Sequence, residues 1–144
     1  MHAELGAIET WLAAGDLGNA SREANGFLAS ALSVPDPNMR ALGWEVKARV
    51  ARAEKRLDLA RECIDKAFAI LEGFDLPLVA WQVHRTAWDL DVDLGNSEEA
   101  ERHRAQAKEF VMRIADSFDR DEPLRECLLM APPIRRIFEA AASA

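Results

Sequence analysis

The chain reads as all-α, built from antiparallel helical hairpins stacked as a short solenoid of about three hairpins plus C-terminal capping helices. Three observations carry that expectation. Sustained period-two alternation is missing, and the long segments are rich in Ala, Leu, Glu, Arg and Lys, which favour helix. Turn-like segments followed by a small residue recur every forty residues: Gly15-Asp16-Leu17 with Ala20, Lys55-Arg56-Leu57 with Ala60, and Gly95-Asn96-Ser97 with Ala100. Pro37 and Pro77 keep the same interval. A fixed period of about 20–50 residues is the mark of repeated supersecondary units, which usually display a surface rather than run a reaction. Identity between blocks is low: the first two share only Ala13/Ala53, Leu17/Leu57, Ala20/Ala60, Ala29/Ala69 and Pro37/Pro77. An irregular helical bundle is therefore the competing architecture.

The first helix spans about residues 2–14, with Leu5, Ile8, Trp11 and Leu12 on one face, and Gly15 through Gly18 ends it. Asn19 is a good N-cap for a second helix reaching Ser33. Val34-Pro35-Asp36-Pro37-Asn38 reads as a linker, because two prolines so close cannot both sit inside a helix. The second hairpin pairs a helix over 38–54, bearing Leu42, Val46 and Val50, with one over 57–73 bearing Ala60, Ile64, Ala67, Phe68 and Leu71. The third pairs 77–94, with Trp81, His84, Trp88 and Val92, with a long helix from Ser97 to Phe118. Ser97 serves there as N-cap and Glu98 and Glu99 favour the dipole. A short helix over 122–130 and another after Pro132-Pro133 complete capping elements over about 122–142. The hairpins thus run 2–33, 38–73 and 77–118 within a single helical-repeat domain, 1–144.

Composition narrows the function classes. A formal net charge of −7 argues against nucleic acid, whose affinity rests on clustered Lys and Arg. No apolar run approaches the ~20 residues of a membrane span, and the first residues lack the basic and apolar segments of a signal peptide, so a cytoplasmic protein is expected. Cys63 and Cys127 stand apart, without metal-ligand or disulfide spacing, and read as small buried hydrophobes. Tyrosine is absent while four tryptophans are present, which points to core anchors rather than adaptable contacts.

Catalytic and metal-binding patterns are few. Trp44 and Ala48 share a helix face, as do Trp81, His84 and Trp88; such stripes are usually core, and the other reading is an aromatic cage. His84 has no second His or Cys three or four residues away, so a semi-buried histidine is the simpler reading than a ligand. His103 and Glu99 are four apart, a weak pattern for acid–base chemistry, and His2 sits at the frayed start. Asp89, Asp91, Asp93 and Gly95 approximate a calcium loop, but the glycine falls one residue late and Leu90, Val92 and Leu94 continue a helix. Neither a phosphate-binding glycine loop nor a nucleophile elbow is present, so no cofactor, metal or enzymatic activity is expected.

Trp44-x-x-x-Ala48, then Leu57-x-x-Ala60, Ile64 and Ala67-Phe68, resembles the large-and-small pattern of the tetratricopeptide-repeat superfamily, as does Gly95-Asn96-x-Glu98-Glu99-Ala100 with Ala107. The resemblance covers residues 1–118. It departs in its forty-residue interval against about thirty-four, in Arg104 where an apolar residue is expected, and in Lys55 for the turn glycine. It implies a concave groove lined by the first helix of each hairpin. The matching positions give partner-binding residues Glu45, Arg49 and Arg52 from the third helix and Gln82, Arg85 and Asp89 from the fifth. Their arginines would pair with carboxylates of an extended peptide or acidic helix. The plainer reading is a solvated helix surface with i,i+4 pairs such as Glu45–Arg49.

A narrower resemblance runs through Pro77-Leu78-x-Ala80-Trp81-x-x-His84, Ala100-x-x-His103-Arg104-x-x-Ala107, Ala115-Asp116-Ser117, Pro123-Leu124-Arg125 and Pro133-x-Arg135. It is similar to the closing repeat segment of large multidomain bacterial signalling ATPases and transcription regulators. The expected function is a non-enzymatic module that binds a protein or peptide, with neither nucleic acid nor membrane as partner. Two alternatives stand beside it: a structural or oligomerisation domain of a larger signalling protein, whose sign is a homodimer protecting Ile134, Ile137 and Phe138; and a small helical enzyme or ligand-binding bundle, whose sign is a closed apolar pocket around His84.

Overall fold

The forty-residue interval is a repeat of backbone conformation. Gly15, Lys55 and Gly95 all lie in the left-handed region, at φ 76°, 65° and 77°. Each ends a helix with the same bonds: Asp16 N–H donates to Trp11 O (2.9 Å), Arg56 N–H to Ala51 O (2.9 Å) and Asn96 N–H to Asp91 O (2.8 Å). This is the Schellman closure, in which a left-handed residue lets two orphan helical carbonyls find donors. The next helix begins at once, and Ala20, Ala60 and Ala100 are all buried five residues on. Small side chains at those points let the two helices of a hairpin approach closely.

The computed structural model describes residues 2–139, with side chains from residue 4 onward, so the side chain of His2 and residues 140–142 of the expected cap lie outside what is described. The described residues form eight helices and no strand: α1 His2–Ala14, α2 Leu17–Leu32, α3 Pro37–Ala53, α4 Leu57–Leu71, α5 Pro77–Leu94, α6 Ser97–Asp116, α7 Pro123–Met130 and α8 Pro132–Glu139. The protein is all-α. Three boundaries differ in their chemistry from the sequence reading. Asp16 rather than Asn19 is the N-cap of α2, accepting from Asn19 N–H (3.2 Å) and from its side-chain amide (2.7 Å), because the turn at Gly15 starts the helix early. Asn96 rather than Ser97 occupies the N-cap position of α6, with no side-chain capping bond. Pro37 opens α3 instead of lying in a linker; proline is at home in a first turn, and Asp36 caps it by accepting from Asn38 N–H at 2.9 Å.

The helices gather into two compact units, Met1–Leu76 and Pro77–Ala144. In the first, α1 packs on α2, α2 on α3 and α3 on α4. Its core joins Ile8, Ala20, Ala24, Phe27, Val46 and Val50, covered by Leu5, Trp11, Leu12, Met39 and Leu42. Gly43 marks a close approach of α3 to α2, since a Cβ there would lie 3.1 Å from both Ala31 Cβ and Leu28 Cδ1. In the second unit α5 packs on α6, and α7 and α8 lean on α6 and on each other. Trp88, Ala100, Ala107 and Ile137 are its core, with Trp81 and Phe138 against them. Ile134 and Ile137 of α8 are buried within this unit.

Candidate functional site

The residues expected to bind a partner fall three to each unit. On α3, Glu45, Arg49 and Arg52 follow one another at helical spacing, yet Glu45 is 0% exposed. An ionised carboxylate at such depth must be paired. Arg49 supplies the partner: its Nη2 donates to Glu45 Oε2 at 3.1 Å, and its Nε lies 2.7 Å from Oε1 though poorly aligned for a hydrogen bond. The Arg49 Nη1 also reaches Glu9 Oε1 of α1, at 3.4 Å. The field of Glu45 raises the Arg49 pKa against the opposing effect of burial, with Glu9 adding to it. Glu45 and Arg49 are thus an internal strut between α1 and α3 rather than groove-lining contacts. The third residue, Arg52, is half-buried and also engaged in interactions.

On α5 the pattern is similar. Gln82 donates through Nε2 to Leu78 O, one turn back, at 3.0 Å. The guanidinium of Arg85 stands 5.2 Å from the centre of the Trp81 ring. Asp89 accepts two parallel bonds, from Arg136 Nη1 at 2.8 Å and Nη2 at 3.0 Å. Arg136 also lies over the Trp88 ring at 4.5 Å, so Asp89 fastens α8 to α5. The Asp89 carboxylate, expected to face a partner, is spent inside the unit.

The hairpin turn at Gly95 brings together two histidines that the sequence reading treats separately. His84 Nδ1 of α5 and His103 Nδ1 of α6 are 3.0 Å apart, and Phe110 stacks on the His84 ring at 5.7 Å. Behind them, His103 Nε2 lies 3.6 Å from Oδ2 of Asp91, a residue 1% exposed. A bond between two Nδ1 atoms needs one proton and one lone pair, so the pair tolerates a single proton there. Burial, and then the neighbouring His103, depress the His84 pKa to about 4. The contact is part-buried, and its His84 ring is uncharged at neutral pH. His103 turns toward His84 and Asp91 rather than serving with Glu99, whose carboxylate meets Arg102. Asp89, Asp91 and Asp93 occupy helical turns, and Asp89 and Asp91 are engaged with Arg136 and His103. Among the described residues no group of three or more potential ligands converges on a metal position.

Several arginines that the sequence reading gave no role hold helix ends. Arg104, 7% exposed, stands at a position where an apolar residue was expected; its Nη1 donates to Ile137 O at 2.9 Å and its Nε to Glu101 Oε2 at 2.8 Å. Arg125 Nη1 donates to Ala115 O at 2.7 Å, near the end of α6. Arg40 donates to Leu32 O and Val34 O at 3.1 and 3.0 Å, closing α2. Each adds a donor to carbonyls at or just beyond a helix C-terminus. Only Glu101, three residues before Arg104, was a local signal. The carbonyl partners are set by tertiary packing.

The cysteines divide. Cys63 is 1% exposed and burial raises its thiol pKa, which keeps it inert, whereas Cys127 of α7 is exposed rather than buried. A recess of about 170 Å³ opens between α2, α3 and the start of α4, and an open, mainly apolar groove of about 370 Å³ is flanked by Pro77, Leu78, Ile114 and Phe118. Neither encloses His84. No helix among the described residues is long and apolar enough to cross a membrane. Comparison of the chain with protein-family models, with curated proteins and with solved structures finds no match in any of the three.

Proposed function

We propose that this protein is a non-enzymatic helical-repeat module of the tetratricopeptide kind that binds a peptide or protein segment along the first helices of its hairpins. The observation that carries the reading is the threefold recurrence of one left-handed turn followed by a buried alanine, at Gly15, Lys55 and Gly95. A repeat of that sort spends sequence on making equivalent helices, and equivalent helices present equivalent faces. Arg52 on α3 and Gln82 and Arg85 on α5 are the contact residues of this proposal. Glu45, Arg49 and Asp89 act behind them by holding their helices in place.

The test is capture from a bacterial lysate with wild type and an Arg52→Glu/Arg85→Glu variant, after circular dichroism melts establish that both fold. A protein retained by the wild type and lost with the folded variant supports the reading. Identical sets, or none, remove it. A second reading, an oligomerisation domain of a larger signalling protein, draws on one observation: α7 buries none of its residues and leaves Leu124 and Met130 more than half exposed. Its original sign no longer distinguishes it, because Ile134 and Ile137 are already protected within their own unit. A dimer in light scattering that Leu124→Glu/Met130→Glu dissociates would favour this reading.

A further inference from the structure

The recess in the first unit gathers charges that the fold itself does not use. One wall is α2, which sets Ser21 and Asn25 one turn apart; another is α3 with its C-cap, which sets Lys47 and Glu54 two turns apart; Arg56, in the turn before α4, also lines it. Its floor includes Ala24 and Ala51, each 1% exposed. These small side chains leave about 170 Å³, room for a small polar molecule or several waters. Several charges of the chain are paired within the fold, as Glu45 with Arg49, Asp89 with Arg136 and Glu101 with Arg104. Lys47, Glu54 and Arg56 form no ion pair with any described residue, although they border one small space. On a chain of net charge −7, two cations and one anion around one recess make a local positive excess.

We propose that this recess binds an acidic amino acid, a small molecule carrying two carboxylates and one ammonium. Those charges are the complement of Lys47, Arg56 and Glu54, and charge-assisted bonds to all three give orientation as well as attraction. Ser21 and Asn25 add a hydroxyl and an amide for the remaining lone pairs. A simple dicarboxylate leaves Glu54 facing negative charge with no cation between, and inorganic phosphate does the same. A neutral amino acid leaves one of the two cations unused. The floor is narrow and small, which limits the ligand to a short carbon chain. The site lies within Met1–Leu76 and is independent of the partner-binding reading.

The experiment is titration of the full ¹⁵N-labelled chain with L-glutamate and L-aspartate, with glutarate, L-glutamine and inorganic phosphate as comparison probes, read by amide chemical shifts. At least one acidic amino acid is expected to give saturable shifts confined to α2, the second half of α3 and the first turn of α4. Each comparison probe should bind about tenfold more weakly or worse, the loss that one charge-assisted contact represents. Lys47→Gln should weaken binding by about tenfold, and Arg56→Gln, at an exposed turn, provides a second variant with little structural burden. Glu54→Gln should erase the preference for glutamate over glutarate. Absence of saturable shifts, shifts indifferent to both Lys47→Gln and Arg56→Gln, or equal affinity for glutarate or phosphate would each overturn the proposal.

Discussion

Glu45 and Arg49 were legible as an i,i+4 pair, but their spacing fits a solvated face as well as a buried strut. Which of these obtains depends on α1, which covers the face and brings Glu9 to the outer side of Arg49. Removing one partner strands the other: Glu45→Ala should cost about 3 kcal/mol in urea unfolding, whereas Glu45→Leu with Arg49→Met should cost far less, since apolar packing can replace a buried pair. Equal losses for the single and double variants would show that the ion pair is not the cause. At His84 the folded pKa is depressed, to about 4 from 6.5, so between those values the unfolded chain binds more protons and stability falls as the solution is acidified. Stability from this residue is complete above about pH 6.5 and should decline by ~2–3 kcal/mol toward pH 4. His84→Gln should flatten that part of the profile. Hydrogen exchange should place the acid-sensitive opening in α5 and α6.

At the scale of helices and turns, the repeat makes comparisons within one molecule. Lys55 adopts the same left-handed conformation as Gly15 and Gly95 but carries a Cβ, which costs about 1 kcal/mol or more there. Lys55→Gly should therefore raise the melting temperature and Gly95→Ala should lower it, each by about 1 kcal/mol in stability. A neutral result at both would mean that these turns do not limit the hairpins. Gly43 tests close approach instead: Gly43→Val pushes into Ala31 and Leu28 and should cost roughly 1–3 kcal/mol. Gly26, exposed on α2 with open space beside it, should gain about 0.5–1 kcal/mol on replacement by Ala, because only helix propensity changes there. These turn positions could be found from sequence since a helix stop needs particular residues locally. The N-caps were missed by one to three residues, because Asp16, Asn19, Asn96 and Ser97 are all competent caps and the preceding turn decides among them.

For the whole molecule, a net charge of −7 with a pI near 5.0 sets solution behaviour independently of any site. Solubility should be lowest near pH 5, where self-repulsion vanishes, and that acidic minimum overlaps the range in which His84 destabilises its hairpin. Aggregation on acidification should therefore ease in His84→Gln without disappearing, as light scattering across pH 4–7 would measure. What the sequence by itself determined is helix content, the three turns and the alanines after them, because helix propensity, left-handed turns and small residues at crossing points act over a few neighbouring residues. What only the tertiary structure decided is the fate of the polar residues: Glu45 buried, Asp89 bound to Arg136, His84 against His103, Arg104 on a carbonyl thirty-three residues away. A charged side chain is read by its periodicity as surface, but whether water or another helix meets it is fixed by packing between segments distant in the chain, which local spacing does not encode.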